Sequence, residues 1–195
     1  FHTMVSEMAK IDRKKAKTIN LGLFYGMGKG KLSSELGLTP GQAEDLFEKY
    51  HSRVPFVKEM IERTMKKASD VGHVRTLLGR KCRFDLWEPS RYGVHKPLPR
   101  DEAEREHGKQ IKRAFTYKAL NKIIQGSAAD MTKRAMVDLY NEGITPHIQV
   151  HDELDCSFAD DVEKDRIIEI MSNAVQLEVP VKLDCEEGPS WGEAK

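Results

Sequence analysis

Residues 13–26 read RKKAKTINLGLFYG, and this stretch restricts the fold more than any other in the 195 residues. An α-helix turns about 100° per residue, so a four-residue step drifts only ~40°. Arg13, Lys17, Leu21 and Tyr25 therefore share one broad face. Ala16, Ile19, Leu23 and Met27 fall on the far side as an i, i+3, i+7, i+11 apolar stripe, the spacing of a helix packed on a core. Asp12 precedes the basic run and can cap its start. Gly26, Gly28 and Gly30 mark its end.

The face opposite the stripe has two readings. Lysines and arginines on a solvated surface helix are commonplace, but a merely solvated face does not need Leu21 and Tyr25 aligned with the cations. In the second reading the helix presents a phosphate-binding end and a flat end to one elongated ligand. Arginine forks two bonds onto a phosphate and lysine adds a compact charge. Tyrosine and leucine offer surface to a base and a sugar. A nucleoside triphosphate has that shape.

Hydrophobic content of 39% and charged content of 32% suit a globular chain with one sizeable core or two subdomains. No apolar run approaches the ~18 residues of a membrane span, and no signal peptide is visible. No membrane partner is therefore expected, and Cys82, Cys156 and Cys185, which form no CxxC pair, read as reduced thiols of a cytoplasmic protein. The chain starts at Phe1 rather than Met and is expected to be a piece of something longer. Its near-neutral balance hides an asymmetry: residues 1–135 hold 28 Lys+Arg against 16 Asp+Glu, and residues 136–195 hold 4 against 15. A basic lobe suits a polyanion and an acidic one suits metal cations; helix-surface composition alone is the plainer explanation.

Along the chain, residues 3–10 read as a helix end and 12–27 as the helix above. Thr39 and Pro40 open a helix running to about His51. Val54-Pro55 breaks it, and a further helix runs from Phe56 to about Ser69. Residues 74–84 read as a hairpin around Gly79. Residues 87–109 read as a charged loop with some helix around Glu102–Glu106. A long helix is expected from Ile111 to about Asn141. HIQV (147–150) and LDCSF (154–158) alternate as strands, with His151, Asp152 and Glu153 at the tip between them. Asp161 to Gln176 reads as a helix and 179–187 as a further strand. The class is α+β, with the sheet confined to the C-terminal half.

The HDE tip offers two carboxylates, and Mg²⁺ usually takes only one or two from a protein, with phosphates and water supplying the rest. Two such ions about 4 Å apart activate an attacking oxygen and steady a leaving one. Alone, HDE on a turn means no more than solvation; its weight comes from sharing a chain with the basic helix.

Together these motifs resemble the family A DNA polymerases, the group of bacterial DNA polymerase I and its phage relatives. RKKAKTINLGLFYG is similar to the family's motif B, and QVHDE (149–153) to its motif C. NKIIQGSAADMTKRAM (121–136) looks like its NxxxQGxAAD helix, LLGRK (77–81) like its xxGRR turn, and GPSWGEAK (188–195) like its usual ending. The blocks keep the family's order and cover nearly the whole chain apart from 87–109. The resemblance implies a helical fingers subdomain (part of it, over 1–110) followed by the C-terminal part of a palm subdomain with an antiparallel sheet (111–195). It implies template-directed synthesis from dNTPs on primer-template DNA, with two Mg²⁺ ions in the complete enzyme, in a cytoplasm, that of the cell itself or of a virus's host.

By position, Arg13 and Lys17 would grip the triphosphate and Lys17 would protonate the leaving pyrophosphate. Leu21 would lie against the sugar and Tyr25 against the base, and Gly26 would let the templating base approach. Asp152 would hold metal, Glu153 would support the metal or the primer end, and His151 would lie near the primer terminus. Asn121 and Gln125 would reach minor-groove acceptors common to every correct pair. Arg80 and Lys118 would contact DNA.

Three departures matter. Leu21 stands where the family usually has Phe or Tyr, which implies poor acceptance of dideoxynucleotides. Tyr117 stands where bacterial members tend to have Arg. The family's motif A, with the other metal-binding aspartate, is absent; HTMVSEM (2–8) resembles the stretch that follows it. A further portion carrying motif A and the thumb, in the same chain or a separate subunit, is therefore an expected partner. The competing readings are a non-catalytic nucleic-acid-binding module that kept the fold, and a metal-dependent nuclease using Asp152 and Glu153.

Overall fold

A computed structural model describes residues 2–91, 93 and 95–194. They divide into two compact units, Phe1–Arg75 with Gly79–Ile123, and Thr76–Leu78 with Ile124–Lys195.

The first unit opens with five helices: α1 (His2–Ala9), α2 (Arg13–Phe24), α3 (Lys29–Leu36), α4 (Pro40–Arg53) and α5 (Pro55–Val71). Their starts follow local chemistry. The Asp12 carboxylate accepts the Lys15 N–H at 2.9 Å. Thr39 and Gln42 form a reciprocal capping box ahead of α4, with Pro40 in its first turn. The apolar stripe of α2 goes where its spacing requires: Ala16, Ile19 and Leu23 are buried in one cluster with Val5, Leu32, Leu46, Tyr50, Val54 and Val57, and Met27 packs against it. Asn20, also buried, accepts a hydrogen bond from the Tyr50 hydroxyl at 3.1 Å. Each fully buried Leu, Ile or Val side chain is worth about 1.5–3 kcal/mol. Helix α3 is an addition to the sequence reading, which stopped at the glycines; Gly28 precedes its first turn and Leu32 anchors it.

Beyond α5 the hairpin expected around Gly79 is present as β1 (His73–Arg75) and β2 (Lys81–Arg83), with Val74 opposite Cys82. The charged stretch that follows is not the loop the sequence suggested. β3 (Leu86–Pro89), β4 (Leu98–Pro99) and β5 (Ile111–Arg113) form an antiparallel sheet in the order β4-β3-β5, with α6 (Arg100–His107) between β4 and β5. Its centre is Trp87, which pairs with Leu98 and Arg113 and carries the guanidinium groups of Arg113 and Arg100 at 4.5 and 5.0 Å. Two expectations are thereby corrected: sheet is not confined to the C-terminal half, and residues 111–113 are strand rather than helix. The chain turns at Phe115, whose φ of 60° is left-handed. After a 3₁₀ turn at Thr116–Lys118 comes α7 (Ala119–Asn141).

In the second unit β6 (Ile148–Val150) and β7 (Glu153–Asp155) pair antiparallel, and α8 (Asp161–Asn173) starts where Asp160 accepts the Glu163 N–H at 2.9 Å. Leu139, Ile144 and Ile167 form its buried cluster, with Leu154, Cys156, Ile170 and Met171 against it. Residues 179–187, expected as a strand, are irregular. A strand needs a partner for its backbone groups, and the β6–β7 sheet has two strands only. The α+β class holds. Among the described residues no helix is long and apolar enough to cross a membrane.

Candidate functional site

Helix α2 places Arg13, Lys14, Lys15 and Lys17 on its exposed surface, with Leu21 41% exposed beyond them. No acidic residue lies in its first turn. That charge order is unfavourable for a helix standing alone. The N-terminal end carries the positive pole of the macrodipole, where each cation costs typically 0.3–1 kcal/mol. Only Asp12, just outside, opposes it; hydrogen bonding from the Lys15 backbone holds that carboxyl below its ordinary range. Arg13 and Lys17 make no ion pair among the described residues. An anion at this end would be welcomed by side chains and helix pole together.

The other end of α2 is shaped by its termination. Tyr25 is the C-cap, its N–H bonded to the Leu21 carbonyl at 3.0 Å, and Gly26 follows with φ of 86°. A side chain at Gly26 would meet the Tyr117 carbonyl and Ile61 at 3.8 Å, so the backbone angle, not crowding, demands glycine. Tyr25 and Gly26 line a cleft of about 510 Å³ together with Gly22, Lys31, Phe115 and Tyr117, and with Glu88 and His95 from the β3–β4 segment. The Phe115 and Tyr117 rings lie 6.5 Å apart, and the Lys118 ammonium sits 4.9 and 5.6 Å from their centroids. The cleft was not legible in the sequence: Phe115, Glu88 and His95 are brought to Tyr25 by strand pairing. The one signal pointing there was the unusual Tyr117.

Asn121 and Gln125 lie one helical turn apart in α7. The Asn121 Oδ1 is buried with no hydrogen-bond partner, an acceptor whose desolvation goes uncompensated. Arg80 is exposed at the β1–β2 turn.

In the second unit Val150 pairs with Glu153, leaving His151 and Asp152 as the two-residue turn. Glu153 is thus the first residue of β7 and not part of the tip proper. His151 holds a left-handed φ of 55°, and the Gln149 amide donates to its carbonyl. A non-glycine residue in that region costs about 1–3 kcal/mol, and such outliers gather at functional positions. All three side chains of HDE are exposed. Among the described residues no group of three or more His, Cys, Asp or Glu side chains gathers as a metal site. The exposed carboxylate of Asp152 nevertheless offers the hard oxygen donor Mg²⁺ takes, one or two of which suffice from a protein.

Comparison with known proteins places these elements in context. The family model for DNA polymerase family A matches residues 1–193. A DNA-directed DNA polymerase of Pseudomonas phage M6 is 34% identical over 98% of this chain and 31% of its own length. DNA polymerase I, thermostable, of Thermus filiformis is 36% identical over 94% of this chain and 21% of its own. The solved POL domain of Pol1 from M. smegmatis, in complex with DNA primer-template and dNTP, matches with a TM-score of 0.69 and 27% identity, covering 93% of this chain and 32% of that one. The chain thus spans between a fifth and a third of the length of these relatives.

Proposed function

Because the chain belongs to DNA polymerase family A, we propose that it takes part in template-directed DNA synthesis, the transfer of a nucleotide from a dNTP to a primer 3′-OH. Residues 1–110 are read as part of the fingers and 111–195 as the C-terminal part of the palm. The observation that carries the reading is the edge of α2, where exposed Arg13, Lys17 and Leu21 lead to half-buried Tyr25 at the C-cap, with Lys14 and Lys15 adding charge to the first turn.

On this reading Arg13 and Lys17 hold the triphosphate, Leu21 packs against the sugar and Tyr25 against the base, with Gly26 leaving room for the template. The primer 3′-hydroxyl gives up its proton to solvent and its oxygen forms a bond to the α-phosphorus as the bond to pyrophosphate breaks, and the Lys17 ammonium gives its proton to the departing pyrophosphate. Asp152 would hold magnesium, with Glu153 supporting it or the primer end and His151 near the primer terminus. Magnesium there would supply charge stabilisation for the attacking and leaving oxygens. The amide N–H groups of Asn121 and Gln125 donate to minor-groove acceptors of the new pair, and Arg80 and Lys118 contact DNA. A portion bearing motif A and the thumb completes the site, from the same polypeptide or a second subunit, in the cytoplasm of the cell itself or of a virus's host.

The test is primer extension by the chain joined with a motif-A-bearing portion. Template-dependent extension is expected, falling ~10³-fold in Asp152→Ala, since loss of a metal ligand removes several kcal/mol of charge stabilisation. Undiminished extension by that variant would remove Asp152 from the site. Dideoxynucleotides should terminate poorly, and Leu21→Tyr should raise termination.

A further inference from the structure

The first turn of α7 carries Asn121, and nothing polar holds that side chain. Its Oδ1 is sealed from solvent without a partner, and no hydrogen bond among the described residues reaches its Nδ2. A sealed acceptor leaves the amide N–H groups as the end able to donate, the polarity that minor-groove acceptors require. An amide without an anchor of its own goes where its helix puts it. The placing of this turn therefore decides where the donor points.

Lys122, the next residue, ties the turn down. Its backbone carbonyl accepts the Cys82 thiol at 3.9 Å. Its ammonium donates to the Arg83 carbonyl at 3.3 Å and lies 4.7 Å from the centre of the Phe84 ring. One residue is thus gripped at both ends by three consecutive residues at the end of β2. The seat beneath it is firm. Phe84 is 3% exposed and clusters with Ala68, Val74 and Ala119, with Ile123 packed against them. The Phe84 carbonyl also accepts a bond from Arg113 Nη1 at 2.9 Å. A lysine that holds DNA sets its charge against phosphate; this one sets its charge on a backbone carbonyl and a ring face.

We propose that Lys122 is a positioning residue for the polymerase reaction. By fastening the first turn of α7 to β2 it sets the reach of the Asn121 amide toward the minor-groove edge of the new pair. It touches no substrate itself. This rests on the reading of Asn121 given above; the brace that aims Asn121 is what it adds. Adjacent residues of a helix move together, and a misplacement of about 1 Å at a positioning group is felt strongly in the rate.

The experiment is primer extension by the chain joined with its motif-A-bearing portion, on a new pair whose adenine is replaced by 3-deazaadenine, which lacks the minor-groove N3 acceptor. The analogue is placed first in the template and then in the incoming nucleotide. At the position that Asn121 reads, kcat/KM should fall about tenfold, the loss of roughly one hydrogen bond, and Asn121→Ala should erase that penalty. Lys122→Met keeps a side chain of similar length over Phe84 but neither charge nor donor. It should slow natural pairs about tenfold and shrink the 3-deaza penalty to about twofold or less, while Lys122→Arg restores both. A merely structural loss would slow natural and 3-deaza pairs alike and leave their ratio at the wild-type level. Lys122 is exposed, so the variant should fold. Circular dichroism checks this, and Lys122→Gln carries the test if Lys122→Met melts below the assay temperature. A penalty that persists at full size without the Lys122 ammonium overturns the proposal and leaves the Asn121 reading standing. A wild-type enzyme indifferent to 3-deazaadenine at both positions, or a penalty that survives Asn121→Ala at both, removes that reading and the proposal with it.

Discussion

The two units differ in how well each buries itself. In the first, nine side chains from Val5 to Val57 form one cluster, Tyr50, Ala16, Leu32 and Val57 being fully buried. In the second, the cluster is Leu139, Ile144 and Ile167, the latter two at its margin. Meanwhile Tyr140, Val162, Val179 and Trp191 are 57–78% exposed. The hairpin bearing Asp152 has two strands, and an isolated two-stranded hairpin is marginal in water. The basic helix is therefore seated on the larger of these two clusters. The acidic tip sits on elements with much apolar surface still open.

The sharpest way to break this contrast is to open a cavity in each cluster. Leu23→Ala should cost about 3 kcal/mol, and Ile167→Ala, less enclosed, about 2 kcal/mol, measured by denaturant unfolding. Equal or reversed costs would contradict the difference in burial. Amide hydrogen exchange should agree, with α2 and α4 better protected than β6–β7. A smaller effect tests the polar part of the first core: Tyr50→Phe removes the hydrogen bond to Asn20 and should cost about 1 kcal/mol by the same measurement.

The smallest effect is a pH dependence confined to the first unit. Burial pushes the His51 imidazole below its usual range, Lys58 adds to the shift and Glu62 opposes it. The unfolded chain, with a histidine pKa of about 6.5, then takes up a proton more readily than the folded one. The contribution of His51 is present above that value and is lost as pH falls through and below it. Thermal melts between pH 7.5 and 5.5 should show this decline, and His51→Gln should flatten it.

Elements specified by neighbouring residues were legible in the sequence. Asp12 and Gly26 bracket α2, Thr39 and Pro40 open α4, Gly79 turns the first hairpin, and alternation around HDE marks β6 and β7. What escaped depends on distant partners. The strands β3 to β5 are two to four residues each, too short for an alternating pattern, and they exist because Trp87 lies between Leu98 and Arg113. Residues 179–187 show the converse: the alternation is there, but no paired strand accompanies it. Helix α3 was hidden because Gly28 and Gly30 read as an ending while Leu32 alone declares a buried face. Of the site, the α2 edge and the HDE turn were visible as patterns, whereas the cleft at Tyr25 required the fold to bring Phe115, Glu88 and His95 together.

The placing of Arg13, Lys14 and Lys15 at the start of α2 has a thermal corollary. With nothing bound, like charges crowd the wrong pole and hold the helix below the firmness its packing would allow. A polyphosphate settling there relieves the crowding as well as making its own contacts. Melting of the first unit should rise with added inorganic triphosphate, and a chain with these three residues neutralised should melt higher when empty and respond less when filled. Strain at rest thus becomes a preference for the loaded form.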